Sequence, residues 1–243
     1  MALISAEKDP MGQAIADYYR TGEAKRLRVI SSMFDEDEIP VSTLFRGAEQ
    51  MNAMERTALD AVYGRILDVG AGSGCHSLVL QERGHSVTAI DVSPLSVETM
   101  RKRGVEDARL ADFYEMECDT RYDTLLMLMN GSGINGTLQG LERFFDRLDR
   151  ILAPGGQVLM DSSDLRYVYE DEEGEMDWNP EWGYYGEVDY RMQYGRVKGE
   201  PFDWLYVDLE TLKRYAEENG YCVTLLALGE HYDYLAQLKR KVI

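Results

Sequence analysis

The chain has 243 residues, 44% of them hydrophobic, and a formal net charge of −18. That length fits one α/β domain with additions, and that composition is enough to bury a core. So acidic a surface repels phosphate backbones, which argues against nucleic-acid partners, and no apolar run reaches the ~18 residues that a membrane span needs.

Residues 1–60 read as an N-terminal helical cap. Ile15, Ala16 and Tyr19, then Leu27 and Ile30, fall at roughly helical spacing; Asp35 to Glu38 and Pro40 interrupt them, and Gln50 to Val62 forms a second helical segment. The segment shows no basic start followed by an apolar core, so no secretory signal is expected. From Arg65 the pattern changes to alternating strands and helices. Arg65 to Val69 is an apolar strand, Cys75 to Arg83 a helix ended by Gly84, and Ser86 to Ile90 a second strand. Pro94 opens a helix that Gly104 follows. Ala108 to Leu110 is a third strand, and Tyr122 to Met129 is an apolar run suited to burial on both faces.

Leu138, Leu141, Phe144, Phe145, Leu148, Ile151 and Leu152 then share one helical face, which Ala153-Pro-Gly-Gly156 terminates before a fifth strand over Gln157 to Met160. After Asp161 the alternation breaks, and the acidic run Glu170 to Asp177 reads as a solvated loop. Val188, Tyr190, Met192 and Tyr194 alternate, as do Phe202, Trp204 and Tyr206, which predicts a β-hairpin inserted at about 165–207, the turn between the two runs containing Gly199 and Pro201. Asp208 caps a helix through Asn219, and Tyr221 to Leu228 and Tyr232 to Leu238 form an antiparallel pair at the sheet edge. The fold class is therefore α/β: a Rossmann-like doubly wound, mostly parallel seven-stranded sheet over 61–243, with the cap at 1–60.

The chemistry lies in Ile66-Leu-Asp-Val-Gly-Ala-Gly-Ser-Gly74, between the first strand and the first helix of that sheet. Glycines there permit a sharp turn and a close ligand approach. The spacing is not the G-x-G-x-x-G of dinucleotide proteins, because Cys75 stands where the third glycine belongs. Asp68, two residues before Gly70, would repel a pyrophosphate and attract a sulfonium or ammonium. A cationic, phosphate-free nucleoside suits the loop better than NAD.

From Arg65 to about Asp164 the chain resembles the class I S-adenosylmethionine-dependent methyltransferases, through this loop, Val87-Thr-Ala-Ile-Asp-Val-Ser-Pro94, Arg109-Leu-Ala-Asp-Phe113, Leu128-Met-Asn-Gly-Ser-Gly133 and the Pro154-Gly-Gly156 turn. The resemblance implies S-adenosylmethionine as cofactor, held by Asp68, Gly70, Ala71, Gly72 and Gly74 at the first turn. It implies further contacts from Asp91 and Val92 at the ribose, from Asp112 and Phe113 at the adenine, and from Asn130 beside the methionine part and the methyl. No catalytic base is assigned; Tyr18, Tyr19, His76 and His231 are candidates, and Arg46 is a candidate partner for the methionine carboxylate. The acidity favours a small-molecule acceptor. A protein side chain and a non-catalytic cofactor-binding role stay open, as do cleft, core and subunit-contact roles for Tyr184, Tyr185, Tyr190, Trp204 and Tyr206, the last compatible with a homodimer. Three scattered cysteines, Cys75, Cys118 and Cys222, suit a reducing cytoplasm and neither a disulfide framework nor a metal site.

Overall fold

The computed structural model describes residues 2–117, 119–171 and 173–241, so Cys118 and the Glu172 of the acidic run lie outside the described residues. In chain order the elements begin with α1 (Pro10–Thr21), β1 (Leu27–Ile30), β2 (Asp37–Ile39) and α2 (Ala53–Ala61). The alternating part follows as β3 (Arg65–Val69), α3 (Cys75–Glu82), β4 (Ser86–Asp91), α4 (Pro94–Arg103), β5 (Asp107–Leu110), β6 (Tyr122–Met127), α5 (Leu138–Ile151) and β7 (Leu152–Ser163). Then come β8 (Glu187–Tyr194), β9 (Val197–Lys198), β10 (Phe202–Leu205), α6 (Leu209–Glu218), β11 (Tyr221–Leu228) and β12 (Asp233–Arg240). Among the described residues no helix is long and apolar enough to cross a membrane.

The main sheet has seven strands in the order β11-β12-β7-β6-β3-β4-β5. Its pairs from β5 to β7 are parallel, and β12 runs antiparallel to both neighbours. The chain winds outward from β3 to β5, then returns to place β6 against β3 on the other side. The carboxyl ends of β3 and β6 are therefore the switch point, where neighbouring connections leave in opposite directions and open a crevice.

Local chemistry sets the boundaries. Asn52 accepts from the Glu55 amide at the start of α2, and Glu55 answers onto the Asn52 amide in a capping box. Ser93 caps α4 ahead of Pro94, and Gly104 ends it at φ 97°. On α5 the apolar stripe is fully used: Leu141, Phe144, Phe145, Leu148 and Ile151 are buried against Leu125, Met127 and Val158 of the sheet. Opposite, α2 and α3 bury Met54, Leu59, Val79 and Leu80 on Ile66, Leu126 and Leu235.

The N-terminal part departs from the expected helical cap. α1 stops at Thr21 because Gly22 takes a left-handed φ of 75° and returns its amide to Tyr18 O. Leu27 to Ile30 is a strand, not helix: β1 pairs antiparallel with β2 on one side and with β8 on the other. Leu27 and Ile30 have helical spacing, but four residues cannot separate the two periods, and the deciding partner lies far along the chain. β10 completes a second sheet of order β10-β8-β1-β2. β8 pairs with β10, and the connection over residues 195–201 contains Gly199 and Pro201; the chain reverses at Gly195 (φ 57°), where β8 folds back onto β9. Phe144 has no exposed surface, so Phe144→Ala should cost about 3–5 kcal/mol of stability, read as a lowered urea midpoint with an unchanged slope.

Candidate functional site

A cleft of about 1440 Å³ lies between the carboxyl ends of the main sheet and one face of the second sheet, with residues of the N-terminal segment along it. Of the sequence-predicted residues, Asp68, Gly70, Ala71, Gly72, Asp91, Val92, Asp112, Phe113 and Asn130 all line it. Gly74 does not. Its φ is 80°, and a Cβ there would come 2.7 Å from Val105, so it serves the packing of α3 on α4 behind the cleft.

The loop after β3 is tied down by backbone bonds: the amides of Gly70 and Ala71 both donate to Ile90 O at 3.0 Å. Gly72 has φ 57°, and no atom lies within 4 Å of where a Cβ would stand, so the chain is bare toward the cleft. Asp91 ends β4. One of its oxygens accepts from Gly72 N and the other from Ser93 N, each at 2.8 Å. Burial raises its pKa to about 6 in spite of these bonds. Asp68 is deeper, 2% exposed, and accepts from Ser77 Oγ at 2.6 Å; burial raises its pKa as well.

On the far side of the switch point, Met129 and Asn130 hold consecutive left-handed φ values of 68° and 56°. Non-glycine residues rarely do so unless held. Asp161 on β7 does the holding, accepting from Met129 N at 3.1 Å and Gly131 N at 2.8 Å. Burial raises the pKa of Asp161 to about 6. Asn130 Nδ2 donates to Leu205 O at 3.3 Å, which fixes β10 beside this turn. Asp112 accepts from Tyr114 N at 2.9 Å. Phe113 is 3% exposed and packs on Phe144, with the Arg147 guanidinium over its ring.

The profile described as a methyltransferase domain matches residues 66–156. The crystal structure of a S-adenosylmethionine-dependent methyltransferase from Bacteroides fragilis, in complex with S-adenosyl-L-homocysteine, is 56% identical, with a TM-score of 0.93 over 99% of this chain and 98% of that one. The chain belongs to the S-adenosylmethionine-dependent methyltransferases. Two curated relatives are similar over less of their length. A demethylmenaquinone methyltransferase from Clavibacter sepedonicus is 31% identical over 152 residues, 58% of this chain and 60% of that protein. The cypemycin N-terminal methyltransferase of Streptomyces sp is 28% identical over 102 residues, 41% and 42% of the two chains.

Several other candidates of the sequence reading sit elsewhere in this methyltransferase. Tyr18 packs on Phe45, the Tyr19 hydroxyl donates to Lys102 O, and neither lines the cleft. His231 is exposed on the turn before β12. Arg46 is also outside the cleft lining: its guanidinium is engaged by the Glu55 carboxylate and Thr43 O and sits 3.4 Å from His76 Nε2. It sits in a buried ion network with Glu55. His76 does line the cleft, but its Nε2 bonds Glu55 at 2.7 Å. Tyr184 and Tyr185 fill a small core and donate to Asp208 and Asp164, whereas Tyr190, Trp204 and Tyr206 line the cleft.

Sequence reasoning missed Asp161, which stood at the end of a strand with nothing to mark its aim. It also missed Asp9, which lines the cleft and whose carboxylate accepts from Ser93 Oγ and Gly12 N.

The network under the loop is a stability element. Burial disfavours an ionised Glu55, but hydrogen bonds from His76 and Arg46 win and bring its pKa down to about 2. Burial likewise opposes a charged His76, but Cys75 and Glu55 raise its pKa to about 10. Glu55→Gln leaves buried cationic partners uncompensated and should cost about 3–5 kcal/mol near neutral pH. The advantage of wild type over Glu55→Gln is expected to be full above pH 4.5 and to shrink as the pH falls toward 2, in chemical denaturation across that range.

Proposed function

We propose that the protein transfers the methyl group of S-adenosylmethionine to a nucleophilic atom of a small molecule held in this cleft. The observation that carries the reading is the carboxylate of Asp91. Each of its oxygens spends one acceptor position on a backbone amide, Gly72 or Ser93, leaving one on each oxygen for the cleft. Two acceptor positions on one carboxylate match a vicinal diol such as that of a ribose. The open space over Gly72 lets a nucleoside approach the backbone, so the residues present fit the cofactor.

The other roles in this reading come from the resemblance, for residues that line the cleft. Asp112 and Phe113 stand at the adenine end, Asn130 and the turn after β6 at the methyl, and Asp68 offers a negative charge at the methionine end. The sulfonium supplies an electrophilic methyl. The protein orients the acceptor in line with the methyl–sulfur bond and keeps the cleft dry. Similarity to the cypemycin N-terminal methyltransferase favours a second acceptor, a peptide terminus, which would have to thread a cleft roofed by the second sheet.

Calorimetry is expected to show S-adenosylmethionine and S-adenosylhomocysteine binding with Kd on the order of micromolar. Asp91→Ala should weaken both by about tenfold or more. Tight NAD binding in place of these ligands would sink the reading. Because a protonated Asp91 accepts only on a depleted set of lone pairs, affinity for S-adenosylhomocysteine should fall as the pH drops below 6 and level off well above it. A pH-independent affinity from 5 to 8 would remove Asp91 from the ribose.

A further inference from the structure

The cleft-facing side of the second sheet's described strands carries one charge, on the exposed edge strand β2. Paired residues on neighbouring strands share a face. Val29 of β1 stands opposite both Asp37 of β2 and Met192 of β8. Along β8 the same face holds Tyr190, which is paired with Phe202, and two residues on from Phe202 it holds Trp204. All six of these residues line the cleft. Among the described strand residues of this sheet, Asp37 is the one charged side chain on that face. Arg28, Glu38, Glu187, Asp189, Arg191 and Asp203 alternate onto the other. Asp37 is exposed on the edge strand, where one carboxylate oxygen accepts from Glu38 N at 2.7 Å and the remaining acceptor positions are open to a cation entering the cleft.

The surroundings of Asp37 complete a site. The hydroxyls of Tyr190 and Tyr206 are 3.1 Å apart, with their rings edge to face at 80°. Burial, with the charge of Asp37 adding to it, holds both phenols above their ordinary pKa, so they remain neutral donors and ring faces. At the mouth, Glu36 is already paired with Arg28, and Glu200 with Lys8 at 3.0 Å. Trp204 lies flat against Gly133, where a Cβ would come within 1.9 Å of the indole. That contact joins the aromatic face to the turn carrying Asn130, at the end of the cleft where the methyl is placed.

We propose, resting on the methyltransferase reading above, that the acceptor is a small amine bound as its ammonium ion, with Asp37 as counter-charge and Tyr190, Tyr206 and Trp204 as the aromatic wall around it. A cation over desolvated aromatic faces is favoured by the ring quadrupole, and a nearby carboxylate adds Coulomb attraction. A carboxylate acceptor is repelled by the same arrangement. For transfer, the ammonium releases one proton to water. The nitrogen lone pair then forms the N–C bond while the C–S bond breaks, its electron pair returns to sulfur, and S-adenosylhomocysteine results. The methylated nitrogen is again cationic, so product and substrate present the same charge to Asp37.

The test uses two matched pairs of probes, choline against 3,3-dimethylbutan-1-ol and glucosamine against glucose, titrated into protein saturated with S-adenosylhomocysteine. In at least one pair the cationic member is expected to bind about tenfold tighter or more. Asp37→Asn should erase that preference while keeping the affinity for S-adenosylhomocysteine, which reports an intact fold; Asp37→Lys should abolish ammonium binding. The inference is overturned if neither pair shows the preference or if the preference survives in Asp37→Asn. Failure of wild-type protein to bind S-adenosylhomocysteine in the first titration would instead remove the methyltransferase reading on which the inference rests.

Discussion

Backbone that must stay open to a ligand cannot satisfy its own amides in a ladder, and this protein meets that constraint with carboxylates. Asp91 takes the amides of Gly72 and Ser93; Asp161 takes those of Met129 and Gly131. The two loops flank the switch point of the sheet from either side. Each carboxylate stands at or near the end of a strand that neighbours the loop it holds, so sheet register is converted directly into loop position. Burial opposes the charge on both acids, yet a neutral replacement would give up hydrogen bonds to the loops.

The second layer of the site is held by a different device. β10 is fixed to the turn after β6 because Asn130 Nδ2 and Ser132 Oγ both donate to Leu205 O, and Trp204 closes on Gly133 without an intervening side chain. The aromatic face is thereby placed against the main sheet by hydrogen bonds and direct packing. Its distance from the switch point is set by the absence of a Cβ at one residue.

Much of this was legible beforehand where the signal is local. The glycine loop, the carboxylate ending β4, the α5 stripe and the caps of α4 and α6 all depend on residues within one or two turns of each other. The motifs of Asp112 and Asn130 are local too, and both residues line the cleft. What failed was long-range. Leu27 to Ile30 looked helical because its partner, residues 191–194, is distant in sequence. That Glu55, nine residues on, turns back to take Arg46 was not visible in the sequence either. Gly74 belongs to the motif by spacing but to helix packing by position, since Val105 occupies the side it faces. Asp37 carried no motif, and its meaning appears only when three strands are laid side by side.

The pairing of β1 with β8 also orders events in time. The strand at residues 27–30 leaves the ribosome long before residues 191–194 exist, so on a nascent chain only β2 is there for it to pair with. Loop closure across that span is entropically slow compared with the local βα units of the main sheet. The roof of the cleft is therefore expected to form after the cofactor half. In the finished protein the same strand is the first place where a fluctuation would unroof the site: β1 is four residues long, and its outer neighbour β2 is only three. A short strand between a short edge and a long hairpin has fewer contacts to break than the parallel core beneath it, so amide exchange is expected to be faster in the roof than in the sheet.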